Sequence, residues 1–163
     1  MDTDGSKTTA VEEDRATTDD IELLSFQIAD HEYCIDIMAV REIRGWTRAT
    51  SLPHAPEFVH GVINLRGVVL PVIDLARRLD IPAEPPSERS VVIVVDFKGR
   101  TVGVQVDGVS DILTVPKTAL QSPPEIRAET AERFVEAILV LDDRMVRVLD
   151  LNAILPSVSD EAA

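Results

Sequence analysis

The sequence is poor in the residues that build disulfides, membrane spans and aromatic cores. Aromatic residues make up 4% of its 163 residues, and Cys34 is its one cysteine. A single cysteine excludes an intrachain disulfide and favours a reducing compartment. No stretch approaches the ~18 consecutive apolar residues of a membrane-spanning helix. Residues 1–20 are acidic and polar and lack the apolar region of a signal peptide. We therefore expect a cytoplasmic protein.

Basic residues are also scarce relative to acidic ones. The chain has 16 Lys and Arg against 29 Asp and Glu, which gives a formal charge of −13. This balance argues against a partner that is a nucleic acid or an anionic membrane surface. Three explanations of the acidity remain open. It keeps the protein soluble, it reflects a host whose proteins are acidic in general, or it serves the binding of a basic partner.

The usual signatures of a reaction centre are absent as well. No GxSxG, HExxH, GxGxxG or GxxxxGK[ST] pattern occurs. The histidines have no metal-ligand spacing, so we expect neither a metal nor a cofactor; they are His31, His54 and His60. Four acidic residues near turns are solvated carboxylates or, as the weaker alternative, an acid–base pair; they are Asp107, Asp111, Asp142 and Asp143. Cys34 follows an apolar strand pattern, which predicts a buried, inert thiol rather than a nucleophile.

Apolar residues are plentiful, at 45%, and a core of Val, Ile and Leu is therefore expected. Alternating and β-branched runs predict strands over residues 22–29, 33–37, 90–97, 101–106, 135–141 and 145–149. Asp74 and Asp150 each precede a short apolar segment that they can cap as a helix. We expect disordered tails over residues 1–20 and 157–163 with the folded region, 21–156, between them. Residues 118–132 are the least defined and are compatible with a helical turn.

One hairpin is especially clear. Two β-branched runs flank Asn64-Leu65-Arg66-Gly67, which predicts a tight turn that presents Arg66. A guanidinium suits a carboxylate partner, so Arg66 is either a solvated surface residue or half of an ion pair. Glu42 is the carboxylate that we favour, because Val40 and Ile43 hold it on a structured segment. Whether Val40 is core or exposed stays open, and Trp46 is either a core lid or an interface anchor.

The chain also repeats its own pattern. Residues 26–43 match residues 95–112 at a spacing of 69, and Val72–Leu75 match Val148–Leu151 at a spacing of 76. The similarity reflects a duplication or a chance match between strand-rich segments. A duplication implies two small β units, and closing each sheet into a barrel would remove exposed edges.

Four segments together resemble the CheW family of bacterial chemotaxis coupling proteins. They are YCIDIMAVREIRGW (33–46), LPHAPEFVHGVINLRGVVLPVIDL (52–75), VVIVVDFKGRTVGVQVDGVSDIL (91–113) and LDDRMVRVLDLNAIL (141–155). The NLRG turn and the VDGVSDIL segment are specific to this family and to the related regulatory domain of the kinase CheA.

The resemblance implies a mainly β fold of two intertwined SH3-like five-stranded β-barrel subdomains with short helices. It implies an adaptor without catalytic activity that couples methyl-accepting chemotaxis receptors to the histidine kinase CheA in signalling arrays. Its partners would be the cytoplasmic receptor tips and the regulatory domain of CheA, and self-association in array rings is compatible with it. Neither nucleic-acid binding nor direct membrane insertion is implied.

The resemblance also assigns roles to residues. Receptor binding falls to the interacting residues Arg66 and Glu42, with four neighbours named more loosely: Asn64, Leu65, Val91 and Val92. The kinase-side surface comprises Val40, Arg41 and Ile43. Two alternatives remain beside a chemotaxis adaptor: a coupling protein of a non-flagellar chemosensory system, and an enzyme or small-ligand-binding barrel.

Overall fold

The computed structural model describes residues 19–83, 85, 87–123 and 133–155. Apart from residues 19 and 20, the expected tails at 1–20 and 157–163 lie outside the described residues. The same holds for residues 124–132 of the least defined stretch. The domain boundaries that rest on these segments stay predictions.

The described residues form eleven strands and two short α-helices. The strands are β1 (Asp20–Ile28), β2 (His31–Asp36), β3 (Val40–Gly45), β4 (Val59–Leu65), β5 (Val68–Asp74), β6 (Val91–Phe97), β7 (Arg100–Val106), β8 (Gly108–Pro116), β9 (Leu120–Gln121), β10 (Val135–Leu141) and β11 (Arg144–Leu149). The helices are α1 (Leu75–Arg78) and α2 (Leu151–Ile154). All the strands expected from the sequence are present, within one or two residues at their ends.

The strands make two sheets, each of which closes on itself. One has the order β3-β6-β7-β5-β4, and we call it barrel A. It closes because the chain after β3 returns to β4, where Thr50 and Val62 exchange backbone hydrogen bonds of 2.9 and 2.8 Å. The other, barrel B, has the order β8-β1-β2-β11-β10-β9. There β8 bends through a 3-10 helix at Lys117–Ala119 and continues as β9, which pairs with β10. The sixth strand of barrel B is therefore the far end of a bent fifth strand, in agreement with the expected five-stranded barrels.

The two halves of the chain are intertwined. The hairpin β1–β2 belongs to barrel B, but the next strand, β3, pairs with β6 in barrel A. In return, β8 of the second half pairs with β1 in barrel B. Each barrel is thus built from strands of both halves, and neither half forms a complete barrel.

The repeat seen in the sequence is preserved in the strand registers. In barrel A, Val72 of β5 pairs in parallel with Gly103 of β7. In barrel B, Val148 of β11 pairs in parallel with Cys34 of β2, and these are the positions that the spacings of 76 and 69 residues predict. The register shift after Val59 recurs at the matching place after Val135. Agreement in registers and irregularities favours duplication over a chance match.

Apolar side chains form three packed clusters. One fills barrel A and one fills barrel B. The largest, which we call the shared core, lies between the barrels. The strand β6 separates the core of barrel A from the shared core, so Val92 to Val95 are all at most 1% exposed, as expected for a strand buried on two sides. Asp74 and Asp150 cap α1 and α2 as predicted, by accepting from Arg77 N at 3.4 Å and Asn152 N at 2.9 Å. None of the helices in the described ranges has the length and apolar character needed to cross a membrane.

Candidate functional site

The turn between β4 and β5 holds Arg66 in a defined place. Arg66 and Gly67 are its two central residues, with φ of 52° and 87°. Two consecutive positive φ values match the type I′ turn that suits the twist of a hairpin, and glycine adopts that conformation without strain. The side chain of Asn64 supports the turn, since its Oδ1 accepts a hydrogen bond of 2.8 Å from Gly67 N. The turn conformation and the hydrogen bond from Gly67 to Asn64 therefore both restrict the backbone that carries the Arg66 guanidinium.

Glu42 is the carboxylate that Arg66 meets. Arg66 Nη2 donates to Glu42 Oε1 at 2.5 Å, which confirms the expected pair. The other oxygen, Oε2, accepts from Arg44 Nη1 at 3.1 Å. Sequence reasoning missed Arg44, although the two-residue period of a strand places it on the same side of β3 as Glu42.

The two arginines keep Glu42 ionised. The hydrogen bond from Arg66, and then the one from Arg44, lowers the pKa of the Glu42 carboxyl below its usual value. The carboxylate in turn raises the pKa of Arg66. The Arg66 side chain is 67% exposed, so water screens the pair and its contribution to fold stability is small. Its effect is to orient the guanidinium.

A shallow pit of about 220 Å³ opens beside Arg66 at one end of barrel A. Its apolar lining consists of three residues of the barrel A core, Leu65, Leu70 and Val94, and of the exposed Val68, with Thr101 beside them. Arg41 and Arg66 also line it. Arg41 forms an exposed ion pair of 3.1 Å with Asp96. An apolar pit with two guanidiniums suits an apolar side chain that has a carboxylate nearby.

Burial changes the interpretation of several expected receptor contacts. Val92 is 1% exposed and packs inside barrel A, which contradicts a direct side-chain contact with a partner. Val91 is half-buried and packs against the shared core. Leu65 is 8% exposed, but it reaches the surface as part of the pit. Asn64 is exposed, although one of its acceptor atoms serves the turn. These differences arise because a β-branched run does not reveal which of its residues face the core.

The expected kinase-side residues divide along β3. Ile43 is exposed and alternates with Glu42, so it lies on the opposite side of the strand. Arg41 is also exposed, but it stands at the register shift between Val40 and Glu42 and lines the pit with Arg66. Val40 is half-buried and packs against the shared core, so it combines the two roles left open by the sequence. Trp46 is also only partly buried, and its two alternatives remain.

Barrel B repeats the apolar part of this surface without its arginines. Ile112 (52% exposed) stands at the position of Ile43 (46% exposed), and Met145 (58%) at that of Val69 (63%). Asp111 and Asp142 stand where barrel A has Glu42 and Arg66. Within the ranges that the structure describes, no arginine pairs with Asp111. The Arg66–Glu42–Arg44 arrangement is therefore specific to barrel A, whereas at the matching turn of barrel B Arg144 pairs with Glu32 at 2.9 Å.

The acidic residues near turns are engaged in local structure. Asp107 Oδ2 accepts from Ala29 N at 2.7 Å, Asp111 Oδ1 accepts from Ile112 N at 2.7 Å, and Asp143 lies 3.6 Å from Arg144 Nη1. Across the described residues, no three side chains of His, Cys, Asp or Glu are grouped to hold a metal ion. The ordinary interpretation of these carboxylates, as turn and surface groups, accounts for them.

Two intertwined barrels with a guanidinium–carboxylate site beside an apolar pit define a class of protein, a binding module built for recognition. The family model described as the CheW-like domain matches residues 22–159. The chain is 49% identical over 142 residues to the chemotaxis protein CheW of Rhizobium meliloti (strain 1021), covering 87% of this chain and 92% of that protein. Identity to the chemotaxis protein CheW of Klebsiella aerogenes is 38% over 136 residues, covering 83% and 82%.

A solved structure agrees with these relatives. The crystal structure of the scaffolding protein TtCheW from Thermoanaerobacter tengcongensis superposes with a TM-score of 0.75 at 34% identity, covering 80% of this chain and 89% of that chain. The chain belongs to the CheW-like family, which confirms the resemblance noted in the sequence.

Proposed function

We propose that this chain is a non-catalytic adaptor that couples the cytoplasmic tips of methyl-accepting chemotaxis receptors to the histidine kinase CheA. The observation that carries the proposal is the Arg66–Glu42–Arg44 arrangement beside the apolar pit, in a chain of the CheW-like family. The names of its relatives, chemotaxis protein CheW and scaffolding protein TtCheW, support it.

In this proposal the receptor binds at the mouth of barrel A, by which we mean the end of the barrel that carries Arg66 and the pit. Arg66, oriented by Glu42, offers a guanidinium to a carboxylate on the receptor, and Leu65 lines a pit for an apolar side chain next to it. Asn64 and Val91 are proposed as neighbouring contacts. Val92 supports this surface from within the barrel core and is not proposed as a contact.

The kinase binds the outer side of β3. Ile43 is exposed there, and Val40 shares its contacts between that surface and the shared core. Arg41, which also lines the pit, is proposed to reach the kinase from the border between the two sites. Because alternate residues of a strand point to opposite sides, β3 serves both partners. Glu42 and Arg44 organise the receptor site from one side, and Ile43 meets the kinase from the other.

The two barrels also provide a basis for self-association. Arginines line the pit of barrel A, whereas the matching turn of barrel B carries Asp142 and Asp143. Opposite charges and exposed apolar residues at matching positions favour a head-to-tail contact between barrel A of one copy and barrel B of the next. The proposed location is the cytoplasm, in receptor arrays at the membrane.

Co-sedimentation tests the proposal. The full chain is mixed with receptor-tip fragments and a CheA-type kinase, and each binary mixture is run alongside. We expect the chain to pellet with either partner and to increase the amount of kinase that pellets with receptors. Arg77→Ala, which alters an arginine whose side chain is 62% exposed, is the matched control for Arg66→Ala. Failure of the parent chain to pellet with either partner would contradict the proposal. Equal losses of receptor binding in Arg66→Ala and Arg77→Ala would contradict it as well.

A further inference from the structure

Arg78 connects the two barrels through one side chain. It is the last residue of α1, which follows β5 of barrel A. Its Nε donates to Ile154 O at 3.0 Å and its Nη2 donates to Ala153 O at 2.9 Å, at the end of α2. Because α2 follows β11 of barrel B, these hydrogen bonds cross from one repeat to the other.

The same guanidinium contacts an aromatic ring from each repeat. Its central carbon lies 4.1 Å from the ring centroid of Phe58 and 5.1 Å from that of Phe134. These phenylalanines occupy matching positions, since Asp74 N donates to Phe58 O and Asp150 N donates to Phe134 O, both at 2.8 Å. Arg78 therefore sits where the two repeats meet.

The repeat does not duplicate this contact. The position of α2 that matches Arg78 is Ile154, an apolar residue that is 1% exposed. The carbonyl group of Ile154 is one of the two that Arg78 binds. One repeat thus contributes the arginine and the other contributes the carbonyl groups that it binds. The contact is therefore an asymmetric feature of two otherwise similar repeats.

The contact differs in kind from the apolar core around it. Burial of apolar surface between the barrels is non-directional, so by itself it does not specify one orientation. Two hydrogen bonds to adjacent carbonyls require a particular angle between donor and acceptor, and stacking on rings adds a further restriction. Lysine could keep the charge and the alkyl stem, but it lacks the rigid planar fork that makes both hydrogen bonds.

We infer that Arg78 is a positioning residue that fixes the angle between barrel A and barrel B. One consequence rests on the proposed function: head-to-tail contacts between copies close into a ring only at a suitable rotation, and this angle sets that rotation. The angle itself is a property of the isolated chain and is independent of any partner.

Residual dipolar couplings of backbone amides measure the angle directly. The full chain is compared with Arg78→Met, which keeps an unbranched apolar stem, and with Arg78→Lys, which keeps the charge. Arg77→Met is the control, because it alters the neighbouring arginine, whose side chain is 62% exposed and lies 3.9 Å from Asp74. Couplings from the strands of each barrel are fitted to one alignment tensor for the whole chain and to a separate tensor for each barrel.

We expect the parent chain and Arg77→Met to fit a single tensor. Each barrel of Arg78→Met should still fit its own tensor, but the common fit should be lost, and Arg78→Lys should behave in the same way. If Arg78→Met does not fold, Arg78→Lys decides the question. A common tensor equal to that of the parent in a folded Arg78 variant would overturn the inference, since the shared core alone would then set the angle. No receptor or kinase is present in the measurement, so failure of the parent chain to bind partners would count against the proposed function only.

Discussion

Arg66 and Glu42 are joined at the mouth of barrel A by a hydrogen bond of 2.5 Å from Nη2 to Oε1. The pair is not isolated, because Arg44 occupies the other carboxylate oxygen at 3.1 Å. Removing Arg66 therefore leaves a bound carboxylate, whereas removing Glu42 leaves two guanidiniums without their common partner. The two residues act as one unit, but their loss should not be strictly equivalent.

Substitution of this pair should affect binding more than folding. We expect Arg66→Ala to weaken affinity for a receptor tip about tenfold, with the melting temperature almost unchanged, because the pair is screened by water. Glu42→Ala should weaken it at least as much, since Arg66 then loses its orientation. The double variant should resemble the worse single variant. A double-mutant cycle on receptor-tip affinity measures the coupling, and strict additivity of the two losses would show that the residues act separately.

The outer side of β3 can be tested with a control taken from the repeat. We expect Ile43→Glu to weaken CheA binding by about 2 kcal/mol, because it places a charge in a proposed apolar contact. Its effect on the melting temperature should be small, since Ile43 is 46% exposed. Ile112→Glu makes the same change at the matching position of barrel B, where the residue is 52% exposed. Kinase affinities from calorimetry that fall equally for both variants would contradict a kinase site on β3.

The elements that the sequence predicted correctly have local signals. The turn at Arg66 and Gly67 is marked by its residue types, and the caps at Asp74 and Asp150 by an acceptor before an apolar segment. The two repeat spacings also relate the parallel register of barrel B to that of barrel A. Each of these features depends on residues that are close in sequence or on a pattern that occurs twice.

The features that lack a local signal in the sequence depend on contacts between distant segments. The exchange of β3 and β8 between the barrels follows only from the family resemblance, which implies intertwined barrels, because each strand has an ordinary alternating pattern. Burial of Val92 follows from its position in a closed barrel rather than from its neighbours in the chain. Arg78 resembles a surface arginine at a helix end, yet its acceptors lie 75 and 76 residues away.

Closure of barrel A should depend on the absence of a side chain at residue 61. A Cβ at Gly61 would clash with the carbonyl oxygen of Thr50 and lie 2.8 Å from its carbonyl carbon. Thr50 is hydrogen-bonded to Val62, so it cannot retreat without opening the barrel. We expect Gly61→Ala to lower the free energy of unfolding by about 2–3 kcal/mol, as overpacking typically does.

Gly108→Ala is the matched control for Gly61→Ala. A Cβ at Gly108 would meet no heavy atom within 4 Å, so the same added methyl group should be tolerated. Urea unfolding of the two variants and the parent gives the comparison. Equal stability of Gly61→Ala and Gly108→Ala would mean that the contact between Thr50 and residue 61 does not restrict closure.

The thiol of Cys34 should make stability depend on alkaline pH. Cys34 is fully buried in barrel B, and burial, followed by the charge of Glu32, raises the pKa of the thiol from 9.0 to about 12. Above pH 9.0 the thiol ionises in the unfolded chain while it stays protonated in the folded one, so the unfolded chain binds fewer protons. The stabilisation is fully present below pH 9.0 and is lost as the pH rises towards 12, with a slope of at most about 1.4 kcal/mol per pH unit.

Cys34→Ala isolates this contribution. The variant should be less stable near neutral pH, because removal of the sulfur leaves a small cavity. Its disadvantage should shrink above pH 9.0, since the alanine chain has no thiol to ionise and the other alkaline groups titrate in both proteins. Urea unfolding of the parent and the variant below and above pH 9.0 gives the two curves. If they stay parallel through this range, the Cys34 thiol has the same pKa in the folded and unfolded chains, and its burial does not control ionisation.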